Sequence, residues 1–417
     1  MNKNMKGFGA FIIIAALLIT FIPQSNTMDV MGLQWLLLGI INIVGIIFIW
    51  IKKKMNIKKR PLTVILLLFI SLAGLSTLYA SNTTLAIQDL SRWINVLAFA
   101  YLSSVMIKEK ILTIRITVNV MSFLLLIEVI VILIPLFQEL YTNGLQILKA
   151  SSINSGAFNG ITGNKNIAAA SIMVKLPFVM YYIKEGVWLK KIIGCIIIIF
   201  TILSVLFISA RASYISFAIF SISFIIAGAV YIKKDRLKFF GPILFSYLVG
   251  FGLGNVFVPN ASKTGLANKI SSISFTQEGS SGRTLLWNDA LSYTLEHPFL
   301  GGGLGSWKIE SAPYWNAHGD HYLIPYHAHN DFFEIAAELG IAGGALYLSI
   351  FTYLAYLLFT RFSNSTSENG LFYFICFVSL CTYGIDSIFN FPMERPIMQL
   401  SFAILLAIGM NIDNHKS

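Results

Sequence analysis

Residues 192–208, IIGCIIIIFTILSVLFI, carry no charged side chain and no proline. A run of this length is close to what one helix needs to cross the hydrocarbon core of a bilayer. It is followed by the short turn Phe207-Ile-Ser-Ala-Arg-Ala-Ser-Tyr214, and the next apolar run begins at once. Working outward in both directions gives twelve such segments: Gly7–Ile22, Gly32–Ile51, Pro61–Tyr79, Trp93–Ile107, Val118–Leu136, Asn166–Tyr182, Ile192–Ile208, Ala212–Ile232, Phe240–Val258, Ile341–Phe359, Leu371–Ile388 and Pro396–Met410. The pattern predicts an all-α, polytopic integral membrane protein of about 12 transmembrane helices with one large, partly helical outer loop.

Composition agrees. Of 417 residues, 56% are hydrophobic and 12% charged, against about 25% charged in an ordinary soluble domain. There is too little polar surface to cover several water-facing cores. The net charge of +11 would suit a nucleic-acid binder, but its distribution points elsewhere. Lys52–Lys54 with Lys58–Arg60, Lys108 and Lys110, Lys184 with Lys190 and Lys191, and Lys233–Lys238 all follow even-numbered segments. By the positive-inside rule these clusters and both termini are cytoplasmic, so the excess charge sets topology and nucleic acid is excluded as a partner. The first segment has a basic start but no small-x-small cleavage site, and is read as a retained helix.

The odd-numbered connections then face outward. Two are long, 137–165 and 259–340, and a long loop on a multispan protein is usually functional. The chain accordingly divides into a nine-span bundle (1–258), the large loop (259–340) and a three-span bundle (341–417). The three cysteines, Cys195, Cys376 and Cys381, lie within spans, so no disulfide framework orders the loop. The loop holds four basic and eight acidic side chains, a net charge of −4. Any positive residue that acts on an anion there must act individually.

Five of the six histidines, His297, His318, His321, His327 and His329, fall in this loop. His327-Ala-His-Asn-Asp-Phe-Phe-Glu-Ile-Ala-Ala-Glu-Leu-Gly340 reads as a helix that starts near His329 and enters or lies on the membrane. A neutral histidine at that point suits general-base work on a hydroxyl, and equally suits a capping role. His318, His321, His327 and His329 are also zinc-type ligands, although their spacing fits no tight signature. Gly301–Gly305 lacks the Lys-Ser/Thr of a phosphate-cradling loop and reads as a tight turn. Arg211 faces outward, where positive charge is depleted. It either snorkels to lipid phosphate or clamps a diphosphate through its planar guanidinium, with Arg283 as a second donor. Lys175 lies within a span, where an ionisable group is costly. Pairing with Glu128 or Asp386 is one explanation, and it is left without a role.

Several motifs, taken together and in order, resemble the O-antigen ligase/O-antigen polymerase superfamily of bacterial envelope membrane proteins. They are Asn159-Gly-Ile-Thr-Gly-Asn-Lys-Asn166, Ser209-Ala-Arg211, Arg283-Thr-Leu-Leu-Trp287 with His297-Pro-Phe-Leu-Gly-Gly-Gly-Leu-Gly305, and His329-Asn330 with Glu338-Leu-Gly-Ile-Ala-Gly343. Phe391-Pro-Met-Glu-Arg-Pro396 is a looser match.

The resemblance implies a glycosyltransferase of the bacterial inner membrane. Its site would face the periplasm, its donor would be a polyprenyl-diphosphate-linked glycan, and its chemistry would be inverting and metal-independent with no cofactor. It implies His329 as catalytic base and Arg211 and Arg283 as diphosphate ligands, with Asn330, Glu338, His327 and Arg395 as supporting residues. The lack of an added C-terminal domain favours a ligase that passes glycan to lipid A core. The alternatives are a repeat polymerase, a protein O-oligosaccharyltransferase or, from another class, a lipid-linked glycan transporter. A transporter would show related half-repeats and a charged central pathway, whereas the candidate chemistry here is concentrated in one outer loop.

Overall fold

The computed structural model describes residues 3–24, 29–54, 60–144, 157–184, 186–232, 236–257, 282–318, 325–365 and 368–412. Among them the chain forms fifteen α-helices. The first ten are α1 (Lys3–Ile19), α2 (Gly32–Ile51), α3 (Pro61–Ser76), α4 (Thr83–Lys108), α5 (Ile114–Ile132), α6 (Ile134–Asn143), α7 (Lys165–Lys184), α8 (Trp188–Ile208), α9 (Arg211–Tyr231) and α10 (Arg236–Phe257). The loop contributes α11 (Arg283–Glu296) and α12 (Trp307–Asn316), and the chain ends with α13 (Asp331–Ser363), α14 (Glu368–Phe389) and α15 (Pro396–Gly409).

Nine helices among the described residues are long and apolar enough to cross a membrane, and Gly7–Ile19, Pro61–Ser76 and Pro396–Gly409 are shorter apolar helices. The protein is therefore a polytopic, all-helical membrane protein, with helices at all twelve expected positions. The shortness of α15 has a physical reason. Every residue from Pro396 to Gly409 is buried, so this helix is apolar on all sides because protein surrounds it. It packs on α4, while α13 packs on α3 and α14 on α7. The end of the bundle that carries α11 and α12 is called here the loop end.

One boundary differs from expectation. The fourth segment, read as Trp93–Ile107, is a helix from Thr83 to Lys108. Its first turns hold Asp89 and Arg92, charges that argue against a membrane helix when read singly. Both are buried and paired with each other at 3.0 Å, so the local cost of each is met by the other.

The core of the bundle is α7. Ala168, Ala169 and Ala170 let its neighbours approach, and nearly all of it is buried. Pro177 removes one helical amide, and in the same turn the hydroxyl of Ser379 on α14 donates to the Val174 carbonyl at 2.7 Å. Lys175 has its partner here too. Its ammonium lies 2.8 Å from a Glu128 carboxylate oxygen on α5, and Ser171 bonds both groups. The pair ties α5 to α7 inside the bundle.

Candidate active site

The loop end is built around a break in α13. Gly340 has φ 69 and ψ −177, a conformation open to glycine because it has no Cβ. Four helical residues would normally share two hydrogen bonds across this point, from the amides of Ile341 and Ala342 to the carbonyls of Ala337 and Glu338. Those carbonyls instead accept from the Gly302 amide at 3.0 Å and the Gly303 amide at 2.8 Å, and the Ile341 amide donates to the Pro298 carbonyl at 2.9 Å. The run His297–Gly305 is thus a clamp that completes the broken helix. A Cβ on Gly340 would stand 2.6 Å from the Phe299 carbonyl oxygen, and one on Gly301 would stand 2.5 Å from that of Ala337. The glycines read as a turn serve close backbone approach.

Beside the clamp lies an ion network centred on the buried Asp89 and Arg92. Arg92 bonds Asp89 and Asp29, each at 3.0 Å, and also Glu394. Lys308 of α12 reaches Asp89 and Glu394, each at 2.8 Å. Three carboxylates and two cations thereby join the α1–α2 connection, α4, the loop and the turn before α15. Burial alone would raise the Glu394 carboxyl, but Lys308 and Arg92 outweigh it and hold it well below the usual carboxylate range. Lys308, which burial would lower, is raised by the same two carboxylates. A small cavity opens between this network and Glu338 and Gln399.

Against this framework Phe391 gathers three of the expected residues, and its neighbour Asn390 holds a fourth. His327 stacks on its ring with centroids 4.2 Å apart and planes at 13°. His329 meets it edge-on at 5.0 Å, and the Arg395 guanidinium lies 5.8 Å over it. Arg283, the first residue of α11, donates to Asn390 Oδ1 at 3.2 Å, and Asn390 in turn donates to the Asp386 carboxylate.

His329 takes φ 52, the left-handed region that a side chain seldom adopts. That bend places it just before Asn330, whose side chain caps α13 by accepting from the amides of Phe332 and Phe333. The His329 carbonyl accepts from Trp287 Nε1 at 3.3 Å, and the buried His329 Nδ1 has no hydrogen-bond partner among the described residues. Burial first, then the charge of Arg283 and of the neighbouring His327, push its pKa down to about 4. The imidazole is therefore neutral at pH 7.

Two supporting residues prove to be anchors. His327 Nδ1 lies 2.9 Å from a Glu334 carboxylate oxygen, whose other oxygen accepts the Ala328 amide at 2.8 Å. Glu338 is buried and accepts from the Trp307 amide at 3.4 Å, and so holds the loop to α13. Arg211 begins α9, two residues after Ser209, whose left-handed conformation ends α8; its side chain lies outside the described residues. His321 also lies outside them. His318 bonds Asp289 at 2.9 Å, and among the described residues no three histidine, cysteine or acidic side chains stand together as a ligand set for a metal ion.

Asn390, Glu334, Trp287 and the Asp29–Asp89–Arg92–Lys308–Glu394 network were not singled out in the sequence. Asp89 and Arg92, three residues apart beside an apolar run, were the available signal, because intramembrane charges are rarely idle.

Fold and site define a polytopic membrane protein with a cationic, histidine-bearing cluster at one end of its bundle. Residues 196–348 match the family model described as O-antigen ligase, a span that includes Arg211, Arg283, His329 and Glu338. A Rickettsia conorii protein provisionally named a polysaccharide ligase is 29% identical over 175 residues, 39% of each chain. One from Rickettsia prowazekii with the same provisional name is 28% identical over 205 residues, 47% of each. The chain thus aligns with less than half the length of these relatives. Over these stretches the chain is similar to the O-antigen ligase family and to proteins provisionally named polysaccharide ligases.

Proposed function

We propose that this protein is a glycosyltransferase that moves a glycan from a polyprenyl-diphosphate carrier to an acceptor hydroxyl, at the loop end of the bundle. The observation that carries the reading is a neutral His329 whose Nδ1 has no partner among the described residues, set on one aromatic ring with Arg395 and close to Arg283. A general base must be unprotonated, and guanidinium groups suit the oxygens of a leaving diphosphate.

The step is a single displacement. His329 accepts the proton of the acceptor hydroxyl, whose oxygen bonds to the anomeric carbon. The bond from that carbon to the diphosphate oxygen breaks, and the polyprenyl diphosphate leaves with the electron pair. Arg283 and Arg395 stabilise the charge that develops on it, with Arg211 as a further ligand from the start of α9. One displacement inverts the anomeric configuration. The driving force lies in the donor's own phosphate ester, so no cofactor is needed. A pKa near 4 makes a weak base. The incoming diphosphate offsets Arg283 and raises it, so donor binding and base strength rise together.

Basic clusters at the opposite connections support a cytoplasmic-membrane protein with both termini inside and this site in the periplasm. The acceptor is proposed to be lipid A core, by analogy with the ligase names of the relatives. The test is transfer in purified membranes by wild type and His329→Ala, with mass spectrometry of the products in a deletion strain. Wild-type transfer by correctly inserted His329→Ala protein sinks the base. Long chains left on the carrier in the deletion strain mark a ligase, single repeats on glycolipid a polymerase, and normal glycolipid with unglycosylated protein a protein transferase.

A further inference from the structure

Helix α11 has two unlike faces. Leu286, Ala290, Tyr293 and Thr294 are buried, and the helix packs against α12 and α13. Away from them Leu291 and Leu295, one helical turn apart, are exposed, Leu295 by 66%. The apolar line runs on into the clamp, where Phe299 is 85% exposed and Leu300 56%. Four large apolar side chains in sequence are far more than chance exposure leaves on a water-facing surface.

The clamp's attachments show where this ridge lies. The Ile341 amide donates to Pro298, the Tyr79 hydroxyl donates to the Leu300 carbonyl at 3.0 Å, and the Ser81 amide donates to Gly302. The turn is pinned between the loop end of α3 and the membrane half of α13. The outward residues of those two spans at this height are Leu78, 83% exposed, and Ile341, 54% exposed. The turn that carries Phe299 and Leu300 is thus hydrogen-bonded beside two apolar helices whose own neighbouring side chains, Leu78 and Ile341, are exposed.

We infer that Leu291, Leu295, Phe299 and Leu300 are immersed in the bilayer leaflet at the loop end, and that the occupant of this face is lipid acyl chain. The loop is a monotopic element fastened to a polytopic one. Immersion holds α11 at the membrane surface, and with it Arg283 at its first turn. The immersion stands on the exposed ridge and its attachment beside two apolar helices, and is independent of the proposed transfer reaction.

The test is spin-label accessibility in reconstituted bilayers. Leu295→Cys, Phe299→Cys and, on the polar flank of α11, Glu296→Cys are labelled with a nitroxide, with Cys195, Cys376 and Cys381 replaced by Ala. Oxygen collisions are expected to exceed those of a water-soluble nickel complex at 295 and 299, with the order reversed at 296. Dominant nickel collisions at 295 and 299 would place the ridge in water and overturn the inference. Protection from both reagents would mean that protein covers it, which overturns it equally. If the cysteine-free background fails to fold, the unaltered protein is photolabelled with a lipid-borne diazirine. Label on the peptide containing 291–300 is expected, and its absence rejects immersion.

Discussion

His327 lies flat on Phe391, with ring centroids 4.2 Å apart and planes 13° from parallel. The contact joins the end of the large loop to the turn between the last two helices, and the same ring meets His329 edge-on. Phe391→Leu keeps an apolar side chain but removes the flat surface. Aromatic pairs contribute about 0.5–1.5 kcal/mol beyond burial, so transfer is expected to fall about two- to tenfold with membrane insertion unchanged. A Phe391→Tyr variant should retain activity. Equal, full activity of Phe391→Leu in a membrane transfer assay would show that the ring does not position the histidines.

The pH dependence follows from His329. Its pKa is pushed down to about 4, below the 6.5 of an unperturbed histidine. Between these values the unfolded chain binds the extra proton and the folded site does not. This group's contribution to stability is therefore full above pH 6.5 and is lost progressively as pH falls toward 4. In kinetics, the acid limb of kcat/KM, set by free enzyme, is expected near pH 4. The limb of kcat lies higher, because bound diphosphate offsets Arg283. Coincident limbs near 6.5 would contradict the buried, cation-flanked setting of this imidazole.

Lys308 bridges the buried carboxylate of Asp89 and the half-buried one of Glu394, at 2.8 Å each. Lys308→Met leaves them with Arg92 as their shared cation. Breaking one member of such a buried network costs about 3–5 kcal/mol, and a clear drop in thermal unfolding temperature is expected. Since α12 is then released from α4, the loop should also become sensitive to protease. Adding Asp89→Asn to Lys308→Met should recover part of the loss. An unfolding temperature equal to wild type for Lys308→Met would remove the network as a structural tie.

Lys175 and Glu128 form a pair with both side chains almost fully buried. Either Lys175→Met or Glu128→Leu alone strands a charge at a cost of about 3–5 kcal/mol, whereas the double replacement by apolar residues is close to neutral. Thermal unfolding in one lipid composition measures the cycle. Loss of transfer in a stable double variant would instead give the pair a part in the reaction.

The apolar runs were legible because length and missing charge suffice to mark a span. The start of α4 was not, since Asp89 and Arg92 look prohibitive until Lys308 and Glu394, supplied from distant segments, are beside them. His329 and Arg283 stood out as residue types suited to the chemistry. Their gathering with Arg395 at Phe391 depends on packing between the loop and the turn before α15, which no local pattern encodes. Gly301–Gly305 was readable as a turn, and its task of completing α13 was not, because that needs the position of Gly340.

That shared hydrogen bonding also orders the birth of the protein. The clamp glycines are synthesised before α13, and until then the Gly302 and Gly303 amides lack the Ala337 and Glu338 carbonyls they bond in the finished fold. The span in turn lacks a partner for its Ile341 amide without Pro298. Insertion of α13 and closure of the loop are then one cooperative event in biogenesis. Nascent chains truncated before Ala337 are expected to expose 283–305 to protease, and chains extending past Ser363 to protect it. Equal protection in both would mean that the loop matures without its helix.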